Sequence, residues 1–221
     1  EAALDQYLSE ALIPALDRQG IGPVGVFSGT AEKEPVLGGN EPRVIVAIPY
    51  DSADQVFQAK SKLAGDEAYQ SAAKAYLQRA PKDPAYKRIQ SELMIAMDCM
   101  KTLNVPAGTL DNDDRVYELR LYESANEHRG DLKVEMFNNG EVPIFLDCGI
   151  QPIFIAQCVV GPQTPSLSYL TVYPNEEARL QAWKDFRVHP DWKVLSKVAK
   201  YKGTVSHIDK FILKAKPYSK M

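Results

Sequence analysis

The sequence predicts an α+β fold made of two diverged β-α-β-β-α-β repeats, the first lacking its opening strand within these 221 residues. Three observations predict it. Residues 11–23 and 140–152 share Pro14 with Pro143, Gly20 with Gly149, Ile21 with Ile150 and Pro23 with Pro152, each pair 129 positions apart, as 14 and 143 are. A second block sets Tyr50, Phe57, Gln58, Ala59, Leu63 and Tyr69 against Tyr173, Leu180, Gln181, Ala182, Phe186 and Trp192, 123 positions apart, as 50 and 173 are. Short β-rich runs and helical stretches follow one another in the same order around both blocks. The offset shrinks because the first copy carries a longer connection at 28–43, whose Gly, Pro and Glu content reads as a surface loop.

In the second copy, residues 116–122 (VYELRLY) are β-rich and bounded by Asp and Ser, so they read as a strand. A helical stretch over 127–148 is interrupted by Asn139-Gly140 and Pro143, which predicts a break or kink. Gly149 stands where a helix stop belongs. Strands follow at 153–160 and 168–173, joined by the turn at 161–165. Asn175 caps the next helix, with Glu176 and Glu177 at its positive end, and His189-Pro190 marks its stop. A last strand spans 204–213. This order is that of a ferredoxin-like unit.

The first copy follows with Leu4, Leu8, Leu12 and Leu16 on one helical face, then strands at 24–27 and 44–48. A helical region at 53–78 breaks at Gly65-Asp66, an insertion covers 81–91, and a strand covers 92–97. The counterpart of strand 116–122 falls ahead of Glu1. Either that strand lies in residues preceding Glu1 or the first sheet has three strands. The former is expected, because a bare sheet edge exposes backbone donors and acceptors. The expected domains are 1–100 and 115–221, with a linker at 101–114 that holds Pro106, Gly108 and the acidic run ending at Asp114. Two helices cover only one face of a four-stranded antiparallel sheet. The other face is expected to meet a second sheet in an α+β barrel, closed within one chain as a pseudo-dimer or between two chains as a homodimer.

Composition excludes several classes. A net charge of −3 gives no dominant nucleic-acid surface, and Lys193, Lys197, Lys200 and Lys202 read as a solvated helical face. Cys99, Cys148 and Cys158 form no metal or disulfide signature and read as small hydrophobes. The longest apolar run, 152–161, is too short to span a membrane. The chain starts at Glu1 rather than Met, so the compartment stays open between export with a removed signal and the cytoplasm.

Candidate chemistry centres on the strand at 116–122, where Tyr117, Leu119 and Leu121 alternate with Glu118, Arg120 and Tyr122. The apolar set is expected to face the helices and the polar set to look into the barrel. The plainer reading of Glu118 and Arg120 is a paired structural network. The functional one is a polar ligand site with Arg120 as a carboxylate or phosphate anchor. Tyr169, Thr171 and Tyr173 share one parity on the third strand, and His207 begins the last, so Tyr169, Tyr173 and His207 join the candidate ligand-binding residues. Gly20, Gly22 and Gly25 match a dinucleotide spacing, but they follow a helix and precede a strand, the wrong context. His128, His189 and His207 show no metal-ligand spacing.

The strand Tyr117-Glu118-Leu119-Arg120-Leu121-Tyr122, the Pro143 to Pro152 helix-to-strand corner, and a third strand followed by a helix ending near His189-Pro190-Asp191-Trp192 together resemble the NIPSNAP family. The first half departs from the pattern: its opening strand is out of view, and Tyr69 stands where Trp192 stands. The resemblance implies the dimeric α+β barrel superfamily, which includes small monooxygenases, haem-degrading enzymes, peroxidases and stress-response proteins. The branch itself has no settled chemistry, and its animal members are associated with mitochondria and vesicle biology. The expected function is a binding or interaction protein holding a small apolar or aromatic ligand between its sheets, with no cofactor. The alternative is a cofactor-independent monooxygenase-like or haem-handling enzyme, with His207 as the haem ligand.

Overall fold

The computed structural model describes residues 1–221 except 34, 37, 38 and 40, so part of the expected loop at 28–43 lies outside the described residues. The chain divides into two compact units: residues Glu1–Val26, Ile45–Gln90 and Pro217–Lys220 form one, and Phe27–Val44, Ser91–Lys216 and Met221 the other.

The first unit is helical. Helix α1 (Ala2–Gln6) runs through a π-helical turn at Tyr7–Leu12 into α2 (Ile13–Arg18). Pro14, at the start of α2, has no N–H to donate, and the wide turn before it absorbs the missing bond. That turn also rotates the buried stripe. Leu8 and Leu16 are buried as expected, but Ala11, Ile13 and Ala15 join them while Leu4 and Leu12 are half-buried. Helices α3 (Ala53–Gly65) and α4 (Glu67–Leu77) break at Asp66, as the sequence predicts. Asp66 caps α4 by accepting from the Tyr69 N–H at 2.9 Å and also receives the Arg18 guanidinium at 2.6 Å. Both interactions hold the Asp66 carboxyl below its usual range, the backbone hydrogen bond first. Ala11, Ala15, Tyr69 and Ala73 form the small core where these helices meet, with Tyr7 stacked on Tyr76 at 3.8 Å.

The second unit carries most of the sheet. The strands are β1 (Gly25–Ala31), β2 (Arg43–Ala47), β3 (Leu93–Ala96), β4 (Val116–Glu123), β5 (Gln151–Val160), β6 (Ser166–Tyr173) and β7 (His207–Ala215), with 25–26 of β1 and 45–47 of β2 counted in the first unit. One seven-strand sheet orders them β2-β1-β7-β4-β6-β5-β3, and every pairing from β1 across to β3 is antiparallel. Residues 116–215 supply the order β7-β4-β6-β5, the fourth-first-third-second arrangement of a ferredoxin-like unit. The strands expected in a separate sheet run on from it instead: β1 pairs with β7 and β3 with β5, which satisfies the outer edges of both. β1 also continues to Ala31, beyond the expected end at Phe27.

Helices α5 (Glu127–Met136) and α6 (Val142–Asp147) are joined by a π-helical turn at Phe137–Glu141, where Gly140 leaves helical geometry, the break that Asn139-Gly140 and Pro143 predict. Helix α7 (Glu176–Val188) is capped by Asn175, and α8 (Pro190–Leu195) starts after the stop at His189. Phe137, Phe145, Trp183 and Phe186 from these helices pack on Tyr122, Ile155, Tyr169 and Tyr173 of the sheet. The opposite face of the same strands buries Tyr117, whose ring lies 4.8 Å from that of Phe27. Of the cysteines, Cys158 is buried and Cys99 and Cys148 are half-buried, all free thiols.

Candidate functional site

The antiparallel register puts Glu118 opposite Thr171 and Arg120 opposite Tyr169, so all four side chains share one sheet face. That face lies beneath the helices. The expected orientation of β4 is therefore reversed: Glu118, Arg120 and Tyr122 point at the helices, and Tyr117 points away from them. Alternation defines two sets of side chains but not which set the helices cover. Helix α7 decides it by bringing Arg179 and Trp183 over Glu118.

Glu118 is fully buried and fully partnered. Its Oε1 accepts from Arg120 Nε at 2.5 Å, and its Oε2 accepts from Arg179 Nη1 and from Trp183 Nε1, both at 2.8 Å. Trp183 serves twice, because the Arg120 guanidinium lies 3.4 Å from its ring centroid. Arg179 also makes a bidentate pair with Glu176 at 2.7 and 2.8 Å. Burial opposes the Arg120 charge, yet Tyr169, Tyr122 and Glu118 raise its pKa above the usual arginine value. The hydrogen bonds that Arg179 donates to Glu176 do the same for its own guanidinium. Tyr169 donates to the Tyr122 hydroxyl at 2.7 Å, and Thr171 reaches the Tyr173 hydroxyl at 3.1 Å. Burial holds the Tyr169 and Tyr173 phenols well above the usual value, so both stay neutral.

Five of the six expected ligand residues, Glu118, Arg120, Tyr122, Tyr169 and Tyr173, thus come together. His207 does not. It lies on the other sheet face, opposite Glu123, with Nε2 2.7 Å from Asp209 Oδ1. Asp209 is buried and also accepts from Gln163 Nε2 and the Val36 N–H, each at 3.2 Å.

Sequence reasoning missed a second buried pair. Lys133 on α5 reaches Glu141 in the π-helical turn at 2.7 Å, both almost fully buried. The ammonium also lies 4.7 Å from the Phe137 ring centre, 5.3 Å from Tyr122 and 5.9 Å from Trp192. Burial raises the Glu141 carboxyl, and Lys133 opposes that rise. The signal was the helix interruption at Asn139-Gly140, which curls the chain so that two residues eight apart can meet. Together Glu118, Glu141 and Glu176 balance Arg120, Arg179 and Lys133. Among the described residues, the buried side-chain polar atoms without a partner belong to Gln19 alone.

Among the described residues, cavities adjoin the sheet of the second unit. A groove of about 500 Å³ is lined by Ser28, Thr30, Val116, Glu176, Ile212 and Lys214 among others, and a cleft of about 230 Å³ by Glu127, Asp131, Gln157 and Thr164 among others. Neither includes Arg120, Tyr173 or His207. Among the described residues no group of acidic, His and Cys side chains could hold a metal ion, and no helix is long and apolar enough to cross a membrane.

Comparison with known proteins follows the same lines. No curated protein matches the sequence significantly. A NIPSNAP-like domain protein from Burkholderia xenovorans aligns over 46% of this chain and 84% of its own, at 16% identity and a TM-score of 0.41. A protein provisionally named a monooxygenase from Lactobacillus acidophilus aligns over 97% of this chain and 86% of its own, at 11% identity and a TM-score of 0.53. Another so named, from Fusobacterium nucleatum, aligns over 97% and 83%, at 13% identity and a TM-score of 0.52. The last two share the fold. Residues 117–220 match the NIPSNAP family model, so this part of the chain carries a NIPSNAP domain.

Proposed function

We propose that this is a binding or interaction protein, built as two ferredoxin-like repeats packed as an α+β barrel. Local likeness supports the tandem reading. Each half has a helix, a π-helical turn, a second helix with a proline near its start, and a glycine at positive φ (Gly20 at 71°, Gly149 at 76°) before a strand. One observation carries the binding reading. Glu118, with Arg120, Arg179 and Trp183 all engaged on it, leaves that polar cluster closed on itself beneath the helices. The cluster holds the fold. Contacts with a small apolar or aromatic ligand then fall outside the cluster, where the groove beside Val116, Ile212 and Leu213 offers open space, and a homodimer is the matching assembly.

Native mass spectrometry with an absorbance spectrum of the purified protein tests this reading. A clean dimer mass, or a mass increment of an apolar molecule without visible absorbance, agrees with it. A single-chain mass carrying a chromophore contradicts it.

A second reading, an enzyme of the monooxygenase-like or haem-handling kind, draws on His207, which buried Asp209 orients as a base could be oriented. The residues around His207 do not fit haem ligation through Nε2, because that nitrogen already faces Asp209.

A further inference from the structure

Building on the reading above that an apolar ligand occupies the groove beside β1 and β7, we propose that this ligand is a small monocarboxylate. Its apolar body lies on Val116 and Ile212, and its carboxylate meets the Lys214 ammonium. Every residue lining the groove belongs to the second unit. The register sets Ser28 opposite Lys214, Thr30 opposite Ile212, and Ile212 opposite Glu118. These side chains therefore share the sheet face that carries α7, and Glu176 of α7 lines the groove with them. With a volume of about 500 Å³, the groove has the size of a small-molecule site.

Charge decides the class of ligand. Three carboxylates near the groove already have cations in contact. Glu118 holds Arg120 and Arg179, Glu176 holds Arg179, and Glu32 holds Lys210 at 2.5 Å. Lys214 is held differently. Its Nζ donates to the main-chain carbonyls of Asp114 and Arg115 at 3.2 and 3.3 Å. Those acceptors are neutral, so they fix the ammonium in position and leave its positive charge to act on the groove. That charge reaches Glu176, whose carboxyl is held below its usual range by Arg179 first and by Lys214 as well, against the effect of burial. Asp114 is exposed, so water screens its carboxylate. One fixed cation beside an apolar floor suits a monoanion with an apolar body. A carboxylate can take the remaining ammonium N–H in a charge-assisted hydrogen bond, and the Ser28 and Thr30 hydroxyls line the same groove as further donors.

The test is titration of the isotope-labelled protein with octanoate, octanol and octylamine, read from the amide shifts of Thr30, Glu176 and Ile212. Octanoate is expected to bind at least about 5-fold more tightly than octanol, and the advantage should shrink at high salt. In Lys214→Met the octanoate affinity should fall to that of octanol. Equal affinity for octanoate and octanol at these amides, or a preference for octylamine, overturns the carboxylate class and leaves an apolar site in the groove. An octanoate preference that survives in Lys214→Met overturns Lys214 as the anchor. No shift at these amides with any of the three overturns the groove as a ligand site, and with it the apolar-ligand reading.

Discussion

The Trp183 indole N–H meets the Glu118 carboxylate at 2.8 Å, and the same indole ring supports Arg120, the other partner of that carboxylate. One side chain of α7 therefore satisfies a buried anion and backs a buried cation. Trp183→Phe keeps an aromatic surface and deletes the N–H. It should cost about 1–3 kcal/mol, the penalty of leaving a buried acceptor short of a partner. Urea unfolding measures it, and a loss near zero would show that Glu118 does not depend on this bond.

Lys133 and Glu141 form the second buried pair, and removing the cation should expose the cost of the anion. Lys133→Met should destabilise the protein by about 3–5 kcal/mol at neutral pH. The pH dependence has a definite sign. Burial already raises the Glu141 carboxyl above its ordinary 4.5, and removing Lys133 raises it further. A raised carboxyl favours the folded state below its ordinary value and loses that contribution as pH rises through the folded value. Relative to wild type, the melting temperature of Lys133→Met should therefore fall as pH rises from about 4.5 toward 7. Adding Glu141→Gln should flatten the profile. Parallel profiles for Lys133→Met and wild type would refute the pairing.

Gly29 lies where β1 crosses close to β7. A Cβ there would meet the Ile212 carbonyl oxygen at 2.1 Å and a Leu213 methyl at 2.9 Å. The nearer obstacle is backbone and cannot rotate away. Gly29→Ala should cost about 1–3 kcal/mol or more, as overpacking does, and should speed amide exchange along the β1–β7 pairing. A variant as stable as wild type would mean that the strands separate freely there.

Gln19 closes α2 with both amide atoms buried and unpartnered. An unmet buried amide costs about 1–3 kcal/mol, so Gln19→Leu should raise the melting temperature. A fall would show that the amide has a partner in solution, such as an ordered water.

Much of the element order was legible in the sequence, because its markers are local. Pro143 and Asn139-Gly140 flagged the helix break, Asn175 the cap, and Gly65-Asp66 the division between α3 and α4. The face of β4 was not legible. Tyr117 and Tyr122 are both buried, so the strand shows no solvent side from which to orient the alternation. The partners of Glu118 were equally hidden, since Arg179 and Trp183 come from a helix far along the chain and look like ordinary helix residues. Lys133 and Glu141 were within reach, had the interruption between them been read as a turn that brings its flanks together. His207 was grouped with Arg120 because it begins the last strand, and the strand register separates them.

The most direct test of the account is Glu118→Gln, followed by urea unfolding and by native mass of the purified protein. A closed structural cluster predicts a loss of about 3–5 kcal/mol, because Arg120 stays buried without its anion and Arg179 keeps only Glu176, with the same bound species as wild type. Unchanged stability together with the loss of a co-purifying molecule would contradict it and would make the cluster a ligand site.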